Sequence, residues 1–205
     1  MKPHLPLLAG ALLAFGTTHA MAESDLEARI TALEDTAAIE ALVHCYSASN
    51  DIIFVNRHRV SNEVAVALGV ERLQDCFTPD AEFTVTFFAN SDEPWAVVSG
   101  LEEWANVVVA FGEQNNITST RHASGGIEVD IKGDTATVRA QSVTPHFQAT
   151  GGENAAPSNL LLIGDYVGTA VRSDGGWVMT DWLIDVVENQ QVSGIYPFGF
   201  HPGTN

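Results

Sequence analysis

Basic side chains are scarce in this chain. Its 205 residues include 9 Lys and Arg against 26 Asp and Glu, a formal charge of −17 at pH 7. So acidic a surface repels phosphate backbones and anionic lipid, which argues against nucleic acid or a membrane surface as partner. Cysteine is nearly absent as well, with Cys45 and Cys76 alone. Two thiols do not make a structural zinc site, and no histidine spacing nearby completes one, so no metal is expected. An oxidising compartment permits a disulfide between them, but the sequence does not give their separation in space. No phosphate-binding glycine loop, dinucleotide-binding glycine pattern or Gly-x-Ser-x-Gly elbow is present. Nucleotide cofactors and serine-hydrolase chemistry are therefore not expected. Internal repeats and low-complexity tracts are missing too, and beyond the start of the chain no apolar run approaches the eighteen or so residues a membrane span needs.

What is present begins with Lys2, a short apolar run from Leu5 to Phe15, and Ala20-Met21-Ala22. This order reads as a secretory signal over residues 1–22, with Glu23 as the first mature residue and a periplasmic or secreted location. One domain is expected over residues 23–192, followed by a Gly-, Pro- and aromatic-containing tail over 193–205 that packs over an opening or a neighbour. Ser24-Asp25-Leu26-Glu27 forms a capping box. Leu26, Ile30, Leu33, Ala37, Ala41 and Val43 then follow at helical spacing, which predicts a helix over about 25–49. A second helix fits 62–75, with Val64, Ala67, Leu68, Leu73 and Phe77 towards the core and Thr78-Pro79-Asp80 as its stop. From Glu82 the apolar period changes to two, marked by Phe83, Val85 and Phe87. A short strand near 95–98, a helix over 101–111 and strands over 118–131, 135–148, 159–172 and 177–188 complete the pattern. Lys132-Gly133-Asp134 and Ser173-Asp174-Gly175-Gly176 read as hairpin turns, and 151–158 as a polar loop. The fold class is therefore α+β: a curved antiparallel sheet with helices packed across it, forming a cone with an apolar interior. Apolar residues on the last two strands (Leu160, Leu162, Val167, Trp182, Ile184) suggest association through the outer sheet face, as a homodimer or homotrimer.

Four segments carry a resemblance. "DTAAIEALVHCYSASND", "CFTPDAEFTV", "TSTRHASGGIEVDIKGDTATVRA" and "GDYVGTAVRSDGGWVMTDW" resemble, in order, the opening helix, the helix-to-strand turn, the central hairpin and the last hairpin of SnoaL-like proteins of the nuclear transport factor 2-like superfamily. The likeness extends to the scytalone dehydratase and bile-acid dehydratase branch. Dehydratase-like members use a helix Tyr, an Asp five residues later and a strand His. Tyr46, Asp51 and His122 match that pattern. Eliminating water beside an activated carbon needs a base for a C–H proton, and histidine suits this near neutral pH. A carboxylate on its far nitrogen fixes the tautomer, and a phenol steadies developing negative charge. The resemblance thus implies a lyase without cofactor, acting on a small, apolar hydroxy-ketone, polycyclic ones included. His122 would be the base, Asp51 its orienter and Tyr46 the hydrogen-bond donor, with His146 and Trp182 as substrate-binding residues.

Each of these residues also has a plainer role open to it: Tyr46 as core, Asp51 as a helix-ending turn former, His122 as a satisfied core histidine. Strand parity sharpens the question. Ile127, Val129 and Ile131 should face the core, and an unbroken strand would then point His122 outward. A β-bulge at Gly125-Gly126 would bring it back inside. Departures from the pattern remain. Ser47 stands where scytalone dehydratase carries its partnering carboxylate. The cationic helpers of related lyases are missing near Trp182 and Asp185, with Arg57, His58 and Arg59 as substitutes or simply a solvated face. Asp165 sits near where steroid isomerases place an acid, but Val85 occupies their base position. A non-catalytic small-ligand carrier and an isomerase therefore stand as alternatives.

Overall fold

The computed structural model describes residues 11–88, 93–149 and 158–193, with the side chains of 11–24, 158 and 193 left aside. The expected loop at 151–158 and the tail at 193–205 lie almost wholly outside these residues, as does the start of the expected signal segment. The chain divides into two units, residues Met1–Ala37 and Ala38–Asn205. Helix α1 (Ala11–Asn56) runs through both. It is longer at each end than its periodicity suggested, because nothing between Ser24 and Asn56 breaks it: the stretch has neither Gly nor Pro. In the first unit Leu26, Ile30 and Leu33, expected on an apolar face, are exposed.

The second unit holds the remaining elements in the order α2 (Asn62–Leu73), β1 (Phe77–Phe87), β2 (Ala96–Ser99), α3 (Leu101–Gln114), β3 (Ile117–Thr120), β4 (Ala123–Lys132), β5 (Thr135–Gln148), β6 (Ser158–Ser173) and β7 (Gly176–Ser193). The strands form one sheet in the order β2-β1-β7-β6-β5-β3, with β4 also on β5. β1 runs parallel to β7 and the other pairs are antiparallel. The long strands curl the sheet into a half-barrel around the C-terminal part of α1, whose Ile39, Leu42, Val43, Tyr46, Ile53 and Phe54 are buried with Phe83, Trp104 and Trp182. Both hairpin turns fall where expected, Gly133 taking φ +66 and Gly176 φ +116.

Three local expectations are corrected. Helix α2 buries Ala65, Val66, Gly69 and Leu73, while Val64 and Leu68 are exposed. Gly69 decides this rotation: it lies against Ile53 with no room for a β-carbon, so the glycine side is the side that packs closest to α1. Pro79 does not stop a helix but sits within β1, where the register against β7 shifts between Phe77 and Glu82. A bulge tolerates a residue without an N–H donor. Of the apolar residues on the two faces of the last strands, Trp182 is buried and Leu162 and Ile184 line the interior cavity, so these three do not offer an outer surface for association.

Cys45 and Cys76 are bridged, across 31 positions of sequence. The bridge ties α1 to the start of β1 beside Tyr46. Closing a loop of this length in the unfolded chain is worth about 3–4 kcal/mol. Cys45→Ala with Cys76→Ala should lower the stability by about that amount in urea unfolding. A loss below about 1 kcal/mol would show that residual structure in the unfolded chain already closes the loop.

Candidate active site

The last turns of α1 set one wall of the site. Tyr46, Asn50 and Phe54 recur every four residues, so they stack on one helix face, and all three line a cavity of about 640 Å³ counted with its open mouth. The opposite wall comes from the sheet. On β5 the even positions face inward: Ala136, Val138 and Ala140 are core, and the same face continues as Ser142, Thr144 and His146. Those three line the cavity with Tyr166 of β6, while Phe87, Trp95 and Phe111 add aromatic surface.

Asp51 meets His122 where the sheet is interrupted. The single strand expected over 118–131 is two, β3 and β4, separated at Arg121 and His122. Asp51 takes over as hydrogen-bond partner at this break. Its Oδ1 accepts from Thr120 Oγ1 at 2.7 Å and from the His122 backbone N–H at 3.1 Å, and lies 2.8 Å from His122 Nδ1. Its Oδ2 faces Arg121 Nη1 at 3.4 Å. Burial pushes the Asp51 pKa up, but the hydrogen bond and charge of His122, with Thr120 behind them, outweigh it and hold the carboxyl below its ordinary value. Asp51 is therefore ionised at neutral pH and accepts the Nδ1–H of His122, which leaves Nε2 with its lone pair.

The turn of His122 into the interior follows from the glycine pair. The β4–β5 register shifts between Gly125 and Glu128, and Gly126 takes φ +58, a conformation that glycine reaches without strain. Past the shift Ile127, Val129 and Ile131 are the shielded positions, and before it Ser124 is, so the parity reverses as expected. The His122 side chain is only 8% exposed and lines the cavity. Tyr46, 6.2 Å from it between ring centroids, is also buried at the cavity wall. Burial first, then the neighbouring Tyr166, hold its phenol well above the ordinary value against the opposing pull of Trp182 and Asn50. It remains protonated and able to donate.

His146 points inward, 6.0 Å from the His122 ring, with Nδ1 3.0 Å from the Thr144 carbonyl. Burial, followed by the charge of His122, drives its pKa down to about 3. It is a neutral imidazole at any working pH. Trp182 is placed differently from its expected substrate-binding position. It lies behind Tyr46 and Tyr166, 5.3 and 5.4 Å away, and is not part of the cavity wall. Gly168 opposite leaves room for its indole, where any β-carbon would collide. Arg57 and His58 are tied to backbone: Arg57 donates to the Ile117 and Gly112 carbonyls, and His58 Nε2 lies 2.6 Å from Ile117 O. They pin the end of α1 and do not line the cavity. Asp165 is exposed.

Sequence reasoning missed Asn50, Phe54, Thr120, Arg121, Ser142, Thr144 and Tyr166. Ser142 and Thr144 had a signal, since they share strand parity with His146. Arg121 and Thr120 had none, because only the break between β3 and β4 turns them towards Asp51. Among the described residues, no group of three His, Cys, Asp or Glu side chains is placed to hold a metal ion.

Comparison with known proteins gives the family and the fold. Residues 69–182 match the SnoaL-like domain family. No curated protein matches the sequence. Among solved structures, a candidate scytalone dehydratase from Novosphingobium aromaticivorans is 20% identical, with a TM-score of 0.56 over 84% of this chain and 99% of that one. An NTF2-like protein with a cystatin-like fold, also from Novosphingobium aromaticivorans, is 20% identical, with a TM-score of 0.51 over 80% and 90%. The hexachlorocyclohexane dehydrochlorinase LinA from Novosphingobium barchaimii is 16% identical, with a TM-score of 0.53 over 83% and 99%. At such identities these likenesses establish the fold.

Proposed function

Since this chain belongs to the SnoaL-like family, we propose that its cavity carries out a lyase reaction of the dehydratase type, without a cofactor, on a small apolar hydroxy-ketone. The observation that carries this reading is the 2.8 Å contact of Asp51 Oδ1 with His122 Nδ1 at the cavity wall. His122 Nε2 takes the proton from the carbon beside the carbonyl. The electron pair of that C–H bond moves into the bond to the carbonyl carbon, giving an enolate, and the enolate then collapses to form the new C=C bond. The C–O bond of the neighbouring hydroxyl breaks, and the hydroxyl leaves as water with the proton that His122 held. Asp51 stabilises the imidazolium in between, and the Tyr46 phenol donates to the carbonyl oxygen as it gains charge. Related folds named for a dehydratase and a dehydrochlorinase support elimination as the reaction class. The test is a screen of hydroxy-ketones for loss of water, followed by His122→Ala on any substrate turned over. An isomerase with Asp165 as its acid is not favoured, because that side chain is exposed.

We also propose that the protein acts outside the cytosol. The Cys45–Cys76 bridge suits an oxidising compartment, and the N-terminal pattern suits export. Material purified from the periplasm of a Gram-negative producer should begin at Glu23. Retention of Met1 in cytosolic material would contradict this.

A further inference from the structure

The basic residues that follow α1 have no part in the reaction above. Positive charge is scarce in this chain, 9 Lys and Arg against 26 Asp and Glu, and elsewhere carboxylates meet it. Arg72 faces Asp75, Lys132 faces Asp130 and Arg172 faces Asp134. Arg59 and Arg121 depart from this pattern. Both line one surface groove, and among the described residues no Asp or Glu lines it with them.

The fold explains how they meet. Val55 and Arg59 are four positions apart at the end of α1, so they fall on one side of its last turn. On β5 the even positions face the cavity, which leaves Pro145 and Phe147 on the other side of the sheet. β3 pairs Ser119 with Phe147, and the break after Thr120 leaves the Arg121 side chain 65% exposed. The groove thus has half-buried apolar surface from Val55, Pro145 and Phe147, with the two exposed guanidiniums over it.

These donors are largely unused. Among the described residues, the Arg59 guanidinium and the Ser119 hydroxyl make no hydrogen bond. Arg121 makes one long contact, 3.4 Å to Asp51 Oδ2, and that carboxylate is already engaged by Thr120 and His122. A guanidinium fork matches a carboxylate in both shape and charge. A bare inorganic ion would leave the apolar surface wet, whereas an apolar body carrying a carboxylate covers it.

We propose that this groove is a second binding site, for a small organic acid with an apolar body and a carboxylate, held by Arg59 and Arg121. Arg121 of the groove and His122 of the cavity are consecutive, and Asp51 touches both. The groove therefore adjoins the Asp51–His122 pair without being part of the cavity. The inference does not depend on His122 acting as a base.

The test uses 2-naphthoate and its neutral counterpart 2-naphthamide. Each is titrated with the full-length protein at low salt and followed by naphthalene fluorescence anisotropy. Naphthoate should bind roughly tenfold more tightly than naphthamide, as two partly exposed ion pairs allow, and its affinity should fall as sodium chloride is raised. Arg59→Gln and Arg121→Gln should each weaken naphthoate about fivefold, the upper end for one such pair, and leave naphthamide unchanged. The Arg59 side chain is exposed, so its substitution reads the site even if Arg121→Gln disturbs Asp51. Equal affinity for acid and amide overturns the proposal, as does the absence of naphthoate binding. Unchanged naphthoate affinity in Arg59→Gln also overturns it, because the ligand would then sit in the apolar cavity. Inorganic phosphate is the third probe, and displacement of naphthoate by an equal concentration of phosphate would overturn the apolar-bodied ligand class.

Discussion

His122→Ala is expected to reduce turnover about a thousandfold, within the range of about 10²–10⁴ that a positioned general base contributes. The size follows from the geometry. Nε2 is the basic nitrogen because Nδ1–H is committed to Asp51 over 2.8 Å, and the side chain is shielded enough that water does not readily replace it. Asp51→Asn should lose a comparable amount with little change in fold. The amide still fills the space between Thr120 and the His122 backbone, but it neither selects the tautomer nor carries the charge that stabilises the imidazolium. The double variant should then be scarcely worse than either single one, because the two residues act as one unit. Tyr46→Phe should cost less, roughly ten- to a hundredfold, as the loss of one donor to a developing anion. Rate measurements on the three single variants and the double variant check this pattern. Additive losses in the double variant would separate Asp51 from the base. Near-full activity in His122→Ala would remove the mechanism while leaving the fold.

Acid should destabilise this protein earlier than its carboxylates alone would dictate, and His146 is the reason. Its pKa is driven from the ordinary 6.5 to about 3, chiefly by burial. Below pH 6.5 the unfolded chain therefore binds a proton at this residue while the folded chain does not. Stability falls with falling pH wherever the unfolded state binds more protons, at about 1.4 kcal/mol per pH unit for one group. From pH 6.5 to pH 4.5 His146 should remove roughly 2–3 kcal/mol. Asp51 acts in a lower window. Its pKa is held below 3.8, so its contribution is present above that value and lost as pH falls through the folded pKa. The interval above pH 4 therefore isolates His146 from Asp51. Urea unfolding of wild type and His146→Gln across it should show a shallower pH slope in the variant, whatever the variant's absolute stability. Equal slopes would mean that His146 is hydrated or protonated in the folded protein.

The same residue shows how far composition and periodicity reach. That His146 faces inward was legible, because Ala136, Val138 and Ala140 set the parity of β5. Its neutrality was not, since this depends on Phe54 and Phe111 packing around it at 5.5 and 5.6 Å. α2 makes the complementary case. Val64 and Leu68 gave a plausible apolar face, but Gly69 allowed the backbone to approach Ile53, and the helix settled with a different side inward. Periodicity ranks the faces of a helix by hydrophobicity. It does not register that the smallest residue permits the closest packing.

Local chemistry alone determined the helices and most strands, their order, both hairpin turns, the reversal at Gly125-Gly126 and the five-residue step from Tyr46 to Asp51. All of these are set by neighbours a few positions away, through backbone sterics and the alternation of apolar side chains. The tertiary structure decided the rest. It closed Cys45 on Cys76, broke the strand at Arg121 and His122 so that Asp51 met a partner 71 positions away, moved Trp182 behind the cavity wall, and set the Ser142 and Thr144 hydroxyls of β5 beside Tyr166 of β6. Each of these is a pairing between distant segments, fixed by sheet register and close packing, and no short window of sequence contains both members of the pair.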